Sequence, residues 1–174
     1  TPKQIIVVDP VPYRQQAALK AGADYVLHTT DGSGAVVRAV RGLTGGLGAD
    51  LAIDADGTAK TFELCAEMIR PVGRLAAVGV HSLPATPSLD SVRVKDAGVT
   101  TGLVDTYTTP RLIAMVADHL LELPDLVTHR FGLDDVLEAY SVFAQHPETG
   151  ALKVVAARNG TKTRISPTEQ STVP

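Results

Sequence analysis

The chain has 174 residues, of which 44% are hydrophobic, and a formal net charge of -3 at pH 7, so it can bury one substantial core with at most a small second lobe. Acidic and basic residues are interspersed, which excludes the basic stripe of a nucleic-acid-binding protein and the polybasic run of a membrane-surface protein. Cys65 is the only cysteine, so we expect no disulfide framework and a reducing, cytoplasmic setting. No apolar run approaches the roughly 20 residues that span a bilayer, so we expect no membrane span.

Short runs rich in Val, Ile and Ala alternate with segments of helical period along the first part of the chain. This alternation is typical of βα units and of a parallel sheet that is buried on both faces. The sequence predicts five strands there, at Ile5–Asp9, Asp24–Thr29, Leu51–Asp54, Arg74–Gly79 and Val99–Val104. It predicts three helices between them, at Tyr13–Ala21, Ala35–Arg41 and Ala59–Ile69. Pro71 and Gly73 follow the third helix and are interpreted as its stop signal.

The pattern changes after these units. Residues 80–98 contain prolines and little periodicity, so we expect a long loop there. After Val104 the sequence predicts a helix at Pro110–Leu121, an extended segment LVTHRF, a helix at Asp134–Ala144 and a last strand LKVVAA that need not belong to the first sheet. The tail Asn159–Pro174 is polar and aperiodic, and we expect it to be disordered.

Asp9 is the most informative residue because it ends an apolar strand and precedes a predicted helix. In a dinucleotide-binding fold, an acid at this place accepts hydrogen bonds from the adenosine ribose and repels the 2′-phosphate of NADP. Asp9 therefore favours NAD, although an aspartate beside Pro10 and Pro12 can also be a turn or capping residue. The glycine-rich phosphate loop lies about 20 residues before such an acid. Only eight residues precede Asp9, so we expect the chain to lack the first strand, turn and helix of the fold.

A second segment imitates the phosphate-binding fingerprint. Gly32, Ser33 and Gly34 lie between a strand and a helix, and Asp54 follows about 20 residues later. The third glycine position is occupied by Val37, whose side chain opposes close packing of helix and strand. The favoured interpretation of this segment is therefore ordinary helix capping by Asp31 or Ser33. The cluster Gly42, Gly45, Gly46 and Gly48 precedes a strand and is interpreted as a loop.

Signals for a metal or a catalytic nucleophile are weak. The five histidines, His28, His81, His119, His129 and His146, are scattered, and none forms an H-E-x-x-H pair. No serine lies in a G-x-S-x-G turn. His81 is the best candidate among the histidines, since it follows a strand at the edge where ligands gather, but the favoured interpretation is a loop histidine without a ligand.

Five phrases occur in order along the chain: IIVVD with AGADYVLHT, then TGGLGADLAIDADGT, PVGRLAAVGVHS, VTTGLVDTYTTPRL, and LVTHRFGLDDVLEAYSVF with GALKVV. Together they resemble the carboxyl-terminal half of the medium-chain, zinc-type alcohol dehydrogenases, from Ile5 to about Ala157. The resemblance implies an α/β, Rossmann-type doubly wound parallel sheet that lacks its first strand. It also implies a partial dinucleotide-binding domain over residues 1–105, a C-terminal segment over residues 106–158 that returns to a catalytic lobe, and a disordered tail over residues 159–174.

The resemblance implies roles for individual residues in cofactor binding. It places Asp9 on the adenosine ribose, Arg14 beside the adenine and ribose edge, and Lys153 near the pyrophosphate. Other implied contacts come from turns that follow sheet strands: Ala55, Asp56 and Gly57 bordering the cofactor, Val78, Gly79 and Val80 at its nicotinamide end, and Leu103 to Asp105 over the carboxamide.

The resemblance also implies what this stretch does not carry. The catalytic zinc of the family is held by cysteine and histidine in an amino-terminal lobe, and none of those positions, nor the four-cysteine structural zinc loop, occurs in this sequence. We therefore expect no catalytic or metal-ligating residue in the chain, NAD as the cofactor, and zinc only in the amino-terminal lobe of a longer protein.

The expected function is the cofactor-binding and C-terminal part of an NAD-dependent alcohol dehydrogenase, inactive when isolated. The longer protein would act on a small alcohol or carbonyl substrate, as a homo-oligomer. Two alternatives remain open: a non-catalytic nucleotide-binding remnant, and a zinc-independent member of the quinone-reductase type. In the doubly wound order the absent strand lies between IIVVD and LAID, so both would have unpaired edges. We expect these strands to collapse together or to borrow a strand from a partner.

Overall fold

A computed structural model of the chain describes residues 2–30, 32–81, 89–102, 106–121, 126–158 and 163–164. The chain divides into two compact units, one formed by Thr1–Val26 with Pro110–Pro174 and the other by Leu27–Thr109. Helices and mostly parallel strands alternate in the described residues, in the order β1 (Ile6–Val8), α1 (Pro12–Lys20), β2 (Tyr25–Leu27), α2 (Ser33–Leu43), β3 (Ala49–Asp54), α3 (Ala59–Met68), β4 (Ile69–Ala77), α4 (Leu89–Val94), β5 (Gly98–Thr101), α5 (Thr109–Ala117), β6 (Val127–Gly132), α6 (Val136–Ala144), α7 (His146–Thr149), β7 (Lys153–Ala157) and β8 (Thr163–Arg164). The predicted α/β class with parallel sheets is confirmed.

The unit Leu27–Thr109 is built on a three-stranded parallel sheet in the order β3-β4-β5. Helix α3 packs against β3 and against α2, and both helices bury apolar side chains, including Val36, Val40 and Phe62. Leu75, in the central strand β4, is fully buried. The alternation of β3 places Ala52 and Asp54 on the buried face, as the period of two in a strand requires.

The other unit contains a two-stranded sheet of β1 and β2 and a three-stranded sheet in the order β7-β6-β8. Strand β6 runs parallel to β7 and antiparallel to β8. Phe131, Ala139 and Ala151 are buried there. The Tyr13 hydroxyl, on α1, donates to the carbonyl of Ala151 at 2.8 Å, so α1 is tied to the segment that precedes β7. The last predicted strand lies outside the β3-β4-β5 sheet, as the change of pattern indicated.

Pro71 and Gly73, which were predicted to end helix α3, do not lie between the helix and the next strand. Helix α3 ends at Met68, but Pro71 and Gly73 lie inside β4. The pairing with β3 shifts from Ala49 opposite Ile69 to Leu51 opposite Arg74, so the intervening residues of β4 form an irregularity in which Val72 has a φ of 60°. A bulge accommodates a proline because it needs no ladder hydrogen bond there. The prediction that the strand starts at Arg74 is therefore wrong.

Two further predictions need correction. The segment 80–98 is not a loop throughout, because it contains α4 at Leu89–Val94. The tail was expected to be disordered, yet Thr163 and Arg164 form strand β8 and pair with β6. The polar composition of the tail hid this strand, since a two-residue edge pairing uses backbone groups and needs no apolar pattern. Residues 82–88 and the rest of the tail lie outside the described residues.

Candidate functional site

The turns that follow β3 and β4 are in direct contact. Because both strands are parallel neighbours, their carboxyl ends meet at one edge of the sheet. A Cβ added at Gly79 would lie 2.3 Å from the amide nitrogen of Gly57, and one added at Gly57 would lie 2.6 Å from the carbonyl oxygen of Val80. The φ of Gly57 is +80°, a region that glycine enters without steric cost. The structure thus brings Ala55–Gly57 and Val78–Val80 together.

Asp54 lies beneath these two turns and is 1% exposed. Its Oδ1 accepts hydrogen bonds from the backbone N–H groups of Asp56 and Gly57, each at 3.3 Å. Its backbone carbonyl accepts from Val78 N at 2.9 Å and from Gly79 N at 3.0 Å. A buried carboxylate requires such donors because an unpaired one is costly in an apolar interior.

His81 contacts the second oxygen of the same carboxylate. The distance from His81 Nε2 to Asp54 Oδ2 is 3.1 Å. The ring packs edge-on against Phe62 of α3, with the ring centroids 6.1 Å apart. His81 Nδ1 is buried and has no hydrogen-bond partner in the described part of the chain. His81, the histidine singled out from the sequence, is therefore part of a polar network beside the two turns.

An open cavity of about 260 Å³ lies at the carboxyl ends of β4 and β5. It is lined by Ala77, Val78, Gly79, Val80, His81, Thr101 and Gly102. The exposed Val78 and Val80 give this wall apolar side chains between exposed backbone groups. Apolar side chains beside a few polar backbone groups are the usual lining of a small-molecule pocket.

Asp9 and Arg14 belong to the other unit. Asp9 follows β1, and its Oδ1 accepts a hydrogen bond from Val11 N at 2.7 Å, which closes a turn before α1. Its backbone carbonyl accepts from the Gln15 side chain at 2.6 Å. Oδ1 of Asp9 therefore has the turn-forming role. A contact between Oδ2 and the ribose stays a prediction. Arg14 Nε donates to the Tyr13 hydroxyl at 3.2 Å.

The remaining predicted contacts are only partly described. Lys153 is the first residue of β7, and its side chain is exposed. Leu103 and Asp105 lie outside the described residues. The roles assigned to these three residues stay predictions.

The second fingerprint, around Gly32, is not supported by the geometry. Asp54, its proposed ribose-binding acid, is buried and bonded within the protein. Val37 is buried in the helix that this loop precedes, so the third position is occupied by core packing. Gly32 itself is the N-cap residue of α2, without a side-chain capping bond, and Ser33 is the first helical residue. Capping by Ser33 is thus not seen, and Asp31 lies outside the described residues.

Cys65 is poorly placed to act as a nucleophile. It is buried in α3, and burial together with the nearby Asp54 carboxylate raises the pKa of its thiol to about 11. The reactive thiolate is therefore scarce at neutral pH. Among the described residues, no group of three or more His, Cys, Asp or Glu could hold a metal ion. The described residues therefore do not fit a zinc site.

None of the helices in the described ranges has the length and apolarity needed to cross a bilayer.

The Asp54–His81 pair was not anticipated from the sequence, although a signal was present. Asp54 is the last residue of β3, and His81 follows β4, the strand next to it. Residues that follow neighbouring parallel strands meet at one edge. The sequence identified both strands, so a test for polar residues just after each strand could have paired them.

Comparisons with known proteins agree with this geometry. The family model described as zinc-binding dehydrogenase matches residues 3–118. An alcohol dehydrogenase from Cupriavidus necator is 36% identical over 157 residues, which cover 86% of this chain and 41% of that protein. Two solved structures are also similar. The zinc dependent alcohol dehydrogenase 2 from Streptococcus pneumonia, in its apo form, has a TM-score of 0.84 at 35% identity, and covers 89% of this chain and 45% of that one.

The second solved structure is the alcohol dehydrogenase TADH from Thermus sp. ATN1. It has a TM-score of 0.79 at 32% identity, with 89% of this chain and 45% of that chain covered. The chain thus spans less than half of the length of each of these relatives. Its family model covers most of the chain, and the chain belongs to the zinc-binding dehydrogenase family.

Proposed function

We propose that this chain is the cofactor-binding and C-terminal part of an NAD-dependent alcohol dehydrogenase, which transfers hydride between an alcohol and a nicotinamide ring. The observation that carries the proposal is the contact between the Ala55–Gly57 and Val78–Val80 turns beside an open cavity. A nicotinamide cofactor supplies the hydride acceptor or donor. The residues of this chain bind and orient the cofactor, and contribute no catalytic group.

The choice of NAD over NADP rests on Asp9. Its carboxylate follows β1, and the carboxylate oxygen that is not bonded to Val11 would accept a hydrogen bond from the 2′-hydroxyl of the adenosine ribose. A 2′-phosphate at the same place would meet a like charge. Arg14 on α1 would lie along the adenine, and Lys153 would neutralise the pyrophosphate. Leu103 and Asp105 would close over the carboxamide.

The substrate and the zinc belong to the longer protein in this proposal. The substrate is a small alcohol or its carbonyl product, and the zinc is held by cysteine and histidine in an amino-terminal lobe. The proposal also includes assembly into a homo-oligomer. The partial dinucleotide-binding domain covers residues 1–105, and residues 106–158 return to the catalytic lobe.

The test begins with the coding sequence upstream of Thr1. A G-x-G-x-x-G segment within about 25 residues of Thr1, with cysteine and histidine ligands further upstream, is expected. The longer protein should form NADH from an alcohol, and the 174-residue chain should not. Absence of the glycine segment, or alcohol-dependent NADH formation by the 174 residues alone, would contradict the proposal.

The cofactor preference is tested in the longer protein with Asp9→Asn. Loss of the charge should lower the ratio of kcat/KM for NAD to that for NADP by about tenfold, since one charged hydrogen bond contributes about 1.5–3 kcal/mol. Asp118→Asn removes an equivalent charge from an exposed turn and should leave the ratio unchanged. An unchanged ratio in the Asp9 variant would remove the argument for NAD.

A further inference from the structure

Both turns at the cavity are anchored on one residue. The turn after β3 is bonded to Asp54 Oδ1 through the N–H groups of Asp56 and Gly57. The turn after β4 is bonded to the Asp54 carbonyl at its beginning, through Val78 and Gly79. At its end, the same turn returns to Asp54 through the ring of His81. Asp54 therefore uses its backbone and both carboxylate oxygens to hold these turns.

The contacts of His81 favour one position for its ring proton. An ionised carboxylate only accepts hydrogen bonds, so with Asp54 ionised the contact of 3.1 Å between Asp54 Oδ2 and His81 Nε2 is a hydrogen bond when Nε2 carries the proton. His81 Nδ1 is buried without an acceptor in the described part of the chain. A proton on Nδ1 would be a buried donor with its hydrogen bond unmade. A neutral ring with its single proton on Nε2 satisfies both conditions.

The position of the ring is also restricted by packing. Phe62 of α3 lies edge-on to the imidazole, at an interplanar angle of 73°, and Phe62 itself is buried. The imidazole is therefore packed against an aromatic neighbour on one side. The close approach of Gly57 and Gly79 leaves little room for either turn to shift alone. The carboxylate, the ring and the two glycine backbones define one arrangement of the cavity wall.

We propose that Asp54 and His81 are a positioning pair: the Asp54 carboxylate fixes His81 as the Nε2–H tautomer, and the ring holds the Val78–Val80 turn in place at the cavity. On the proposed function, this turn faces the nicotinamide end of the cofactor, so the pair would set the cofactor wall without touching the reacting atoms. The pair itself is defined within the unit Leu27–Thr109 and is measurable without cofactor.

The tautomer is tested by nitrogen-15 NMR of the imidazole groups of the 174-residue chain at about pH 8, where an ordinary histidine is neutral. The signals of His81 are identified as those absent from His81→Gln. We expect a fixed tautomer with a protonated Nε2 and an unprotonated Nδ1. A proton on Nδ1, or the averaged shifts of a ring that exchanges between both tautomers, would overturn the proposal.

Asp54→Asn tests whether the carboxylate selects this tautomer. The amide oxygen of the substituted side chain is expected to keep accepting hydrogen bonds from the N–H groups of Asp56 and Gly57, so the amide NH₂ would face His81 Nε2 as a donor. The proton of the ring should then move to Nδ1. An unchanged Nε2–H form in a folded Asp54→Asn chain would show that Asp54 does not select the tautomer. The wild-type measurement remains decisive if this variant does not fold.

The holding role is tested with two substitutions of His81. Glutamine carries a donor at the same number of bonds from Cβ as Nε2 and can keep the bond to Asp54, whereas His81→Leu keeps apolar volume against Phe62 without a donor. Amide hydrogen exchange of Val78 and Gly79 should become about tenfold faster in the leucine variant and stay near wild type in the glutamine variant. Equal exchange in all three chains would overturn the holding role.

These measurements are independent of the proposed enzyme function. If the chain shows the Nε2–H tautomer and the exchange pattern but the longer protein forms no NADH from alcohol, the positioning pair is supported and the proposed function is contradicted. If the longer protein is an active dehydrogenase but His81 carries its proton on Nδ1, the proposed function is supported and the positioning pair is contradicted.

Discussion

At the scale of the residue, Gly79 occupies a position with no space for a side chain. Its backbone conformation is open to other residues, since its φ is not positive, yet an added Cβ would lie 2.3 Å from the Gly57 amide nitrogen. That neighbour is backbone and cannot move aside as a flexible side chain could. The steric demand therefore comes from the contact between the two turns.

Gly79→Ala is expected to destabilise the chain by about 1–3 kcal/mol, the usual range for forcing extra volume into a packed site. Urea unfolding followed by circular dichroism measures the change. Gly42→Ala is the matched control, because a Cβ at Gly42 meets nothing within 4 Å and Gly42 lies in α2. Alanine there should stabilise by about 0.5–1 kcal/mol. Equal unfolding midpoints for the two variants would contradict the steric argument.

Single residues also show where inference from the sequence ends. The spacing of Asp54 from the Gly32 segment matched a ribose-binding acid, but its carboxylate is buried and bonded within the protein. Asp9 and Asp54 both end predicted strands, and the sequence pattern alone does not separate them. The difference lies in their surroundings. Asp54 has donors from the turns after β3 and after β4, and these turns meet only when the two strands have paired.

At the scale of the element, the C-terminal end of helix α3 is capped by the side chain of a lysine from a distant segment. Lys95, which follows α4, donates through Nζ to three carbonyl oxygens: Ala66 at 2.7 Å, Glu67 at 3.0 Å and Ile69 at 2.9 Å. The last carbonyls of a helix lack partners within the helix, and a cation there also complements the helix dipole. Burial, with Arg41 nearby, lowers the pKa of this lysine, so its charge is retained at some cost.

Lys95→Met is expected to lower the free energy of unfolding by about 1–2 kcal/mol, because it keeps the apolar stem and removes charged hydrogen bonds at a partly exposed site. Thermal or urea unfolding measures the loss. Lys60→Met is the matched control, since Lys60 is an exposed residue of the same helix, and its effect should stay within about 0.5 kcal/mol. If the two variants unfold at the same midpoint, Lys95 does not cap α3.

Elements were predicted well where their periodicity is local and less well where distant contacts decide. The positions of α1, α2 and α3 follow from helical periodicity. The Val-rich and Ala-rich runs predicted the parallel pairing of β3, β4 and β5, whereas β1 and β2 form a separate sheet. Pro71 and Gly73 were placed outside a strand because proline and glycine normally end elements. The structure accommodates them through a bulge, in which Val72 N donates to the carbonyl of Lys95 at 2.7 Å. No local pattern could reveal a partner over 20 residues away.

At the scale of the whole molecule, the described residues leave the β3-β4-β5 sheet incompletely covered. Parallel sheets are normally buried on both faces, and α3 packs on the face of β3 that carries Ala52 and Asp54. On the opposite face Leu51 is 52% exposed and Ile53 is 58% exposed. Strand β3 is also the edge of its sheet. An apolar edge strand with an uncovered face is a site at which chains associate.

The 174-residue chain is therefore expected to associate reversibly in the micromolar range, and Leu51→Lys with Ile53→Lys should weaken this association by at least about tenfold. Like charges on two facing copies repel, and lysine on an edge strand opposes pairing. Sedimentation velocity across a concentration series measures the effect. Val94→Lys with Leu120→Lys is the control, since both residues are exposed and lie outside β3. A wild-type chain that stays monomeric at about 100 μM, or a control that dissociates equally, would show that β3 does not drive association.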